Sequence, residues 1–169
     1  MKSIAEDETL STNDYRASIF AGKLKELMVI SYVVLGNNVV TGRFIEKRYR
    51  MPIQAWSSLY VVREFPGIRA KEIREVIPRP QNTISRAVSL LEARGYLRQE
   101  VSETDGREKC LYVTPAGAKL VDELVEISRL RQEEWLAPLT PEERKMFYQL
   151  SRKIAEGQKL LTTEVMSVD

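Results

Sequence analysis

The segment from Pro80 to Gly95 constrains the fold more than any other part of this 169-residue chain. Ile84, Ala87, Val88 and Leu91 recur at the i, i+3, i+4, i+7 spacing of one helical face. Pro80 suits the start of such a helix, and Gly95 suits the left-handed residue just past its end. At about 100° per residue, the opposite face centres on Asn82, Arg86, Ser89 and Ala93. One side of this helix must therefore be buried, and the other is small and polar.

Its neighbours in sequence are equally legible. Upstream, Pro52 suits a first helical turn, and Trp56, Leu59 and Tyr60 form a stripe on a helix over Ile53–Glu64. Pro66-Gly67 stops it, and a short helix follows at about Ala70–Val76. Downstream, 97–101 and 109–113 read as short strands around a polar turn containing Asp105-Gly106. Thr114 then stands as N-cap and Pro115 as the first residue of a helix reaching about Trp135, with Leu120, Leu124 and Ile127 on one stripe. Thr140 and Glu143 have the spacing of a capping box. The last helix carries Phe147, Leu150, Ile154 and Leu161, with Gly157 in the same register, as a seam for another helix.

The N-terminal side is apolar. Helical spacing over Phe20–Leu35 predicts one helix within 14–50, buried against another element or another subunit, with Gly36 and Gly42 as the places where it would loosen. Residues 1–13, with Glu6, Asp7 and Glu8, are expected to form a disordered arm and do not read as a secretory signal. The stretch from Leu27 to Val40 is interrupted by Ser31, Gly36, Asn37 and Asn38. It reads as too short for a bilayer, which needs roughly 20 apolar residues. The expected location is the cytoplasm, with no membrane partner.

Residue counts close most enzymatic routes. There is no histidine and a single cysteine, Cys110. That excludes a His-based triad or general base, a disulfide within the chain, a CxxC redox pair and a four-cysteine metal site. No GxGxxG or GxxxxGK[ST] phosphate cradle occurs. No catalytic residue, metal or cofactor is expected. Cys110 itself reads as a small buried residue in the hairpin, without a second thiol for redox sensing.

Three short helices followed by a two-stranded hairpin make the winged-helix plan, in which the third helix enters the DNA major groove. The predicted fold is mainly α with a small β wing. A winged helix-turn-helix over 51–114 is flanked by long N- and C-terminal dimerisation helices, 14–50 and 115–169. Gln81, Asn82, Thr83, Ser85, Arg86 and Ser89 are the candidate DNA-reading side chains, because amides, hydroxyls and guanidinium groups contact base edges and phosphates. Arg107 at the hairpin tip suits a narrow minor groove, with Asp105 to orient it. Over Pro52–Thr114, 10 Lys and Arg face 8 Asp and Glu, a net of +2. Phosphate binding then rests on a few placed cations, among them Arg69, Arg79 and Lys109.

These pieces together resemble the MarR family of bacterial transcription regulators. The resemblance is carried by Gln54-Ala55-Trp56, Pro66-Gly67-Ile68, the run from Thr83 to Leu97, Asp105-Gly106-Arg107, Leu111 to Gly117, and Leu139 to Arg144. It implies a homodimer built from N- and C-terminal helices on a pseudo-palindromic double-stranded DNA operator. It implies Ser85 and Arg86 on the recognition helix and Arg107 as the wing arginine. It also implies a repressor relieved by a small aromatic or phenolic effector, held in a cleft near Tyr32, Arg43, Trp56 and Tyr60. The chain departs from the family pattern at Gly106, where a second wing arginine is common, and at Leu90, where a polar residue is common. The competing reading is a winged-helix module that binds protein rather than DNA; it calls for an apolar recognition face.

Overall fold

The computed structural model describes residues 11–101 and 108–157. Its elements are α1 (Thr12–Ala21), α2 (Lys25–Tyr49), α3 (Ile53–Glu64), α4 (Ala70–Val76), α5 (Gln81–Ala93), β1 (Leu97–Val101), β2 (Lys109–Val113), α6 (Pro115–Leu136) and α7 (Pro141–Ala155). The fold is mainly helical, with one small antiparallel sheet in a winged-helix order. Two compact units span residues 1–121 and 122–169, and the division falls within α6.

The core of the first unit is built around α5. Ile84 and Leu91 are fully buried, and Ala87 and Val88 nearly so, as the spacing demands. They pack α5 on α3, α4 and β1. α3 meets them with Ala55, Ser58, Leu59, Val61 and Val62. Its buried face is rotated from the expected stripe: Leu59 is buried, but Trp56 is half-buried and Tyr60 exposed. Small residues on α3 let α5 come close, and the two rings sit on the shoulder. Each fully buried aliphatic side chain contributes about 1.5–3 kcal/mol.

β1 and β2 pair from Leu97 opposite Val113 to Val101 opposite Lys109. The Gly67 N–H donates to the Leu111 carbonyl at 2.8 Å and the Leu111 N–H to the Ile68 carbonyl at 3.1 Å, so the chain at 67–69 extends the sheet beside β2. Gly67 holds φ 88°, a conformation that favours glycine. Gly95 ends the α5 region at φ 71°, as expected. Cys110 is half-buried, more accessible than expected, because β2 alternates and buries Leu111 instead.

The N-terminal helix is not continuous. Ser11 and Asp14 form a capping box that starts α1 within the expected arm. Gly22 is extended at ψ 179° and ends it. α2 then runs 25 residues straight through Gly36 and Gly42, neither of which has a non-local neighbour within 4 Å of a built Cβ. At this length α2 is long and apolar enough to cross a membrane, with a window of mean hydropathy 1.3, so the expectation of a stretch too short does not hold. Core helices of soluble proteins pass the same test. Burial within the chain is limited to Ile45, while Leu27, Ile30, Val34, Leu35 and Val40 are exposed.

In the second unit, Thr140 and Glu143 form the expected capping box. Arg144 pins the turn between α6 and α7: its Nε donates to the Leu136 carbonyl at 3.1 Å and its Nη1 to Glu133 at 2.6 Å. Trp135 and Phe147 meet edge to face at 5.8 Å. α7 leaves Met146, Tyr148, Leu150 and Ile154 exposed. It ends at Ala155, so Gly157 lies beyond the seam expected to contain it, and Leu161 falls outside the described residues.

Candidate nucleic-acid interface

The outward face of α5 is uncovered by its own chain. Gln81, Asn82, Ser85, Arg86 and Ser89 are all exposed, and Thr83 is half-buried. Gln81 accepts a hydrogen bond from Arg74 of α4 at 2.6 Å, and the Ser85 hydroxyl donates back to the Gln81 carbonyl at 3.1 Å. Asn82, Arg86 and Ser89 make no side-chain hydrogen bond or ion pair among the described residues. The helix starts at Pro80 with no side-chain cap. Its leading N–H groups are thus open to an anion, at the positive end of the helix dipole.

The tip of the wing, with Asp105 and Arg107, lies outside the described residues. Its base is described. Lys109 is exposed at the start of β2. Glu108 accepts from both Arg69 and Lys71, and Arg69 also donates to Glu72. Arg69, expected to meet phosphate, is therefore engaged by two carboxylates within the chain. Its hydrogen bond holds the Glu72 carboxyl down at about 2, while those from Lys71 and Arg69 hold Glu108 below the usual carboxylate range. The side chains of Arg69, Glu72 and Glu108 are a quarter to a third exposed and that of Lys71 more than half, so solvent screens the network. Arg79 is half-buried, with Nε enclosed and without a hydrogen-bond partner among the described residues.

Of the four expected effector-site residues, the structure brings two together. Trp56 and Tyr60 stack as a tilted pair at 5.5 Å on α3. Tyr32 instead meets Phe20 of α1 edge to face at 5.5 Å, beneath the guanidinium of Arg16 at 4.9 Å. Arg43 is exposed on α2. Tyr32 lines a cavity of about 370 Å³ between α1 and α2, which none of the other three joins.

Two residues were missed by the sequence reading. Arg16 carried no signal while α1 was read as part of a longer helix. Arg94, at the C-cap of α5, donates to the carbonyls of Tyr49 at 2.8 Å and Arg50 at 2.6 Å, joining the recognition helix to the end of α2. Nothing in its local sequence distinguishes it from a solvated arginine.

The sequence profile of the MarR family matches residues 51–108, the winged-helix segment. HosA, a transcriptional regulator of Escherichia coli O157:H7, is 27% identical over 99 residues, covering 59% of this chain and 73% of HosA. The transcriptional regulator PcaV of Streptomyces coelicolor, solved with its natural ligand, is 30% identical over 61% of this chain and 73% of its own, with a TM-score of 0.54. BpsR of Bordetella bronchiseptica, whose DNA binding is regulated by 6-hydroxynicotinic acid, shares the fold at a TM-score of 0.71 and 20% identity, over 82% of this chain and 96% of BpsR.

Proposed function

The chain belongs to the MarR family, and from that premise we propose that it is a cytoplasmic, dimeric, DNA-binding regulator of transcription. In this reading it binds a pseudo-palindromic operator and represses until a small aromatic or phenolic effector releases it. The observation that carries this reading is the outward face of α5. Its opposite side is fully committed to the core, while Asn82, Arg86 and Ser89 stay exposed and unbonded beside an uncapped helix start. A protein-docking face would be apolar there, and only the half-buried Leu90 and the small Ala93 depart from polarity.

Dimerisation accounts for the apolar residues left exposed along α2 and, separately, along α7. A two-fold dimer presents two recognition helices about 34 Å apart, one turn of duplex. Gln81, Asn82, Thr83, Ser85, Arg86 and Ser89 read the major groove. Asp105, Arg107 and Lys109 serve the wing. PcaV with its ligand and BpsR with 6-hydroxynicotinic acid support an effector-responsive reading.

Fluorescence anisotropy with labelled fragments of the regulated promoters, at several salt concentrations, tests this. Sequence-preferring, salt-sensitive binding at a stoichiometry of two chains per site is the expected result. Binding that is absent or indifferent to sequence at every fragment overturns it.

A further inference from the structure

We propose that Arg74 is a positioning residue for base reading: it holds the side-chain amide of Gln81 by its oxygen and leaves the NH2 group for a base in the major groove. This rests on the operator reading above and adds to it what one residue of the recognition helix selects.

The Nη1 of Arg74, on α4, donates to the Oε1 of Gln81, the first residue of α5, at 2.6 Å. A guanidinium carries donors only, so the amide atom that it meets must be the oxygen. Gln81 is thereby held in one of its two amide orientations. Its own N–H donors are uncommitted among the described residues. Arg74 makes no ion pair among the described residues, so no carboxylate draws it away from the amide.

The backbone beneath this bond is fixed. Ile73, next to Arg74, and Ile84, one turn along from Gln81, are both fully buried where α4 packs on α5. Pro78 and Pro80 lock two φ angles in the link 77–80 between the helices. Arg74 and Gln81 are themselves exposed, at the end of the recognition helix whose residues meet base edges in a helix-turn-helix. Gln81 thus reaches the groove with its side chain already ordered, and less conformational freedom is lost on binding.

The orientation decides what can be read. Bidentate pairing with adenine needs a glutamine that donates to N7 and accepts from the N6 amino group. With Oε1 drawn to Arg74, Gln81 offers donors alone. It therefore suits guanine, which presents acceptors at both N7 and O6, and it disfavours the amino group of cytosine. Removing Arg74 frees the amide to rotate and adds adenine to the bases that it pairs with.

Selection of duplexes from a random DNA pool by the full-length protein tests this, with Gln81→Ala, Arg74→Met and Arg74→Lys selected in parallel. Gln81→Ala is expected to erase the preference at one position of each half-site, which marks the base that Gln81 reads. At that position the wild type is expected to take guanine, and Arg74→Met to take adenine at least as often. Arg74→Lys keeps a donor for Oε1 and is expected to take guanine as the wild type does. On a scrambled duplex, Arg74→Met is expected to lose less than about twofold in affinity. A wild type that takes another base at the marked position overturns the assignment. So does an Arg74→Met that keeps the wild-type preference, or a Gln81→Ala that erases none. Equal loss on selected and scrambled duplexes in Arg74→Met, with a salt slope lower by about 0.9, also overturns it and makes Arg74 a phosphate contact. Each of these leaves the operator reading standing, whereas a wild type that selects no sequence overturns that reading and this one together.

Discussion

Arg94 lies at the C-terminal end of the recognition helix, and its Nη1 donates to the carbonyl of Tyr49, 45 residues earlier, at 2.8 Å. Its Nη2 donates to the next carbonyl, Arg50, at 2.6 Å. One side chain thus caps α2 and ties it to α5. Arg50 holds a left-handed backbone at φ 53°, an arrangement that is uncommon for a non-glycine residue and relies on surrounding contacts. Replacing Arg94 with Ala removes two charge-assisted hydrogen bonds at a helix C-terminus. A loss of about 1–2 kcal/mol is expected, given the exposure of the side chain, read as a lower urea midpoint with an unchanged m-value. Arg94→Lys should recover less than half, since a single ammonium cannot repeat the forked geometry. Wild-type stability in Arg94→Ala would show that the link is idle.

Gly117 is a second place where one atom decides. A Cβ there would stand 2.1 Å from the Tyr96 carbonyl oxygen and 2.9 Å from Val113 Cγ1. The close approach follows from the Thr114 cap: the Thr114 hydroxyl donates to the Gly95 carbonyl at 2.6 Å and accepts from the Gly117 N–H at 3.1 Å. Gly117→Ala must push the start of α6 away from the β1 entry, at a cost of about 1–3 kcal/mol by overpacking. Gly36→Ala in α2 meets no non-local atom within 4 Å. It should stabilise the protein by about 0.5–1 kcal/mol through helix propensity. Thermal denaturation of the two variants should therefore move in opposite directions. A stabilised Gly117→Ala contradicts the packing.

The acidic cluster at the base of the wing has a signed pH dependence. Glu72 is held at about 2 by Arg69, and Glu108 is lowered by Lys71 and Arg69. A carboxylate depressed in the folded state contributes stability that is fully present above its unfolded value. That stability is lost as pH falls through the folded value. The window here opens near the ordinary glutamate value of 4.5 and closes at about 2 for Glu72. The groups face solvent, so the effect is small and shrinks with added salt. Carboxyl chemical shifts should place the Glu72 transition at about 2 and return it towards 4.5 in Arg69→Met. A Glu72 that titrates normally in the wild type would mean that the pairing does not persist in solution.

How far these features could be read in advance depended on the range of the interaction responsible. Both strands match their expected limits, 97–101 and 109–113, because alternation and a turn are local signals. The Thr140 and Glu143 box and the Thr114 cap with Pro115 at the first helical position were readable for the same reason. The separate start of α1 has a local signal, since Ser11 and Asp14 carry capping-box spacing, but the apolar run beyond Lys25 has the periodicity of one long helix and masks the break at Gly22. The rotation of the buried face of α3 was not legible. Trp56 and Tyr60 are the large apolar residues, but close packing by α5 favours Ala55 and Ser58 there. Arg69 and Arg94 illustrate the same limit, because their partners lie 39 and 45 residues away.

The remaining prediction separates base reading from phosphate contact on the outward face of α5. Arg86 is exposed and makes no ion pair among the described residues, and it stands one turn beyond Asn82. If its guanidinium meets a base edge, Arg86→Ala should weaken operator binding by about 1–3 kcal/mol and leave non-specific binding nearly unchanged. If it meets a phosphate, both affinities fall together and the salt slope drops by about 0.9 for the lost contact. The spacing from the uncapped helix start favours base reading: the open N–H groups at Gln81 and Asn82 are free to take a phosphate, which leaves Arg86, one turn further along α5, for a base edge. Arg107→Ala, at the residue the sequence leads one to expect on the wing, provides the contrast, with the slope expected to flatten and sequence preference to change little. Anisotropy titrations across a range of salt with operator and scrambled duplexes distinguish the cases. An Arg86→Ala variant that loses equal affinity for both duplexes would assign Arg86 to the backbone and leave Asn82 and Ser89 as the side chains that read sequence.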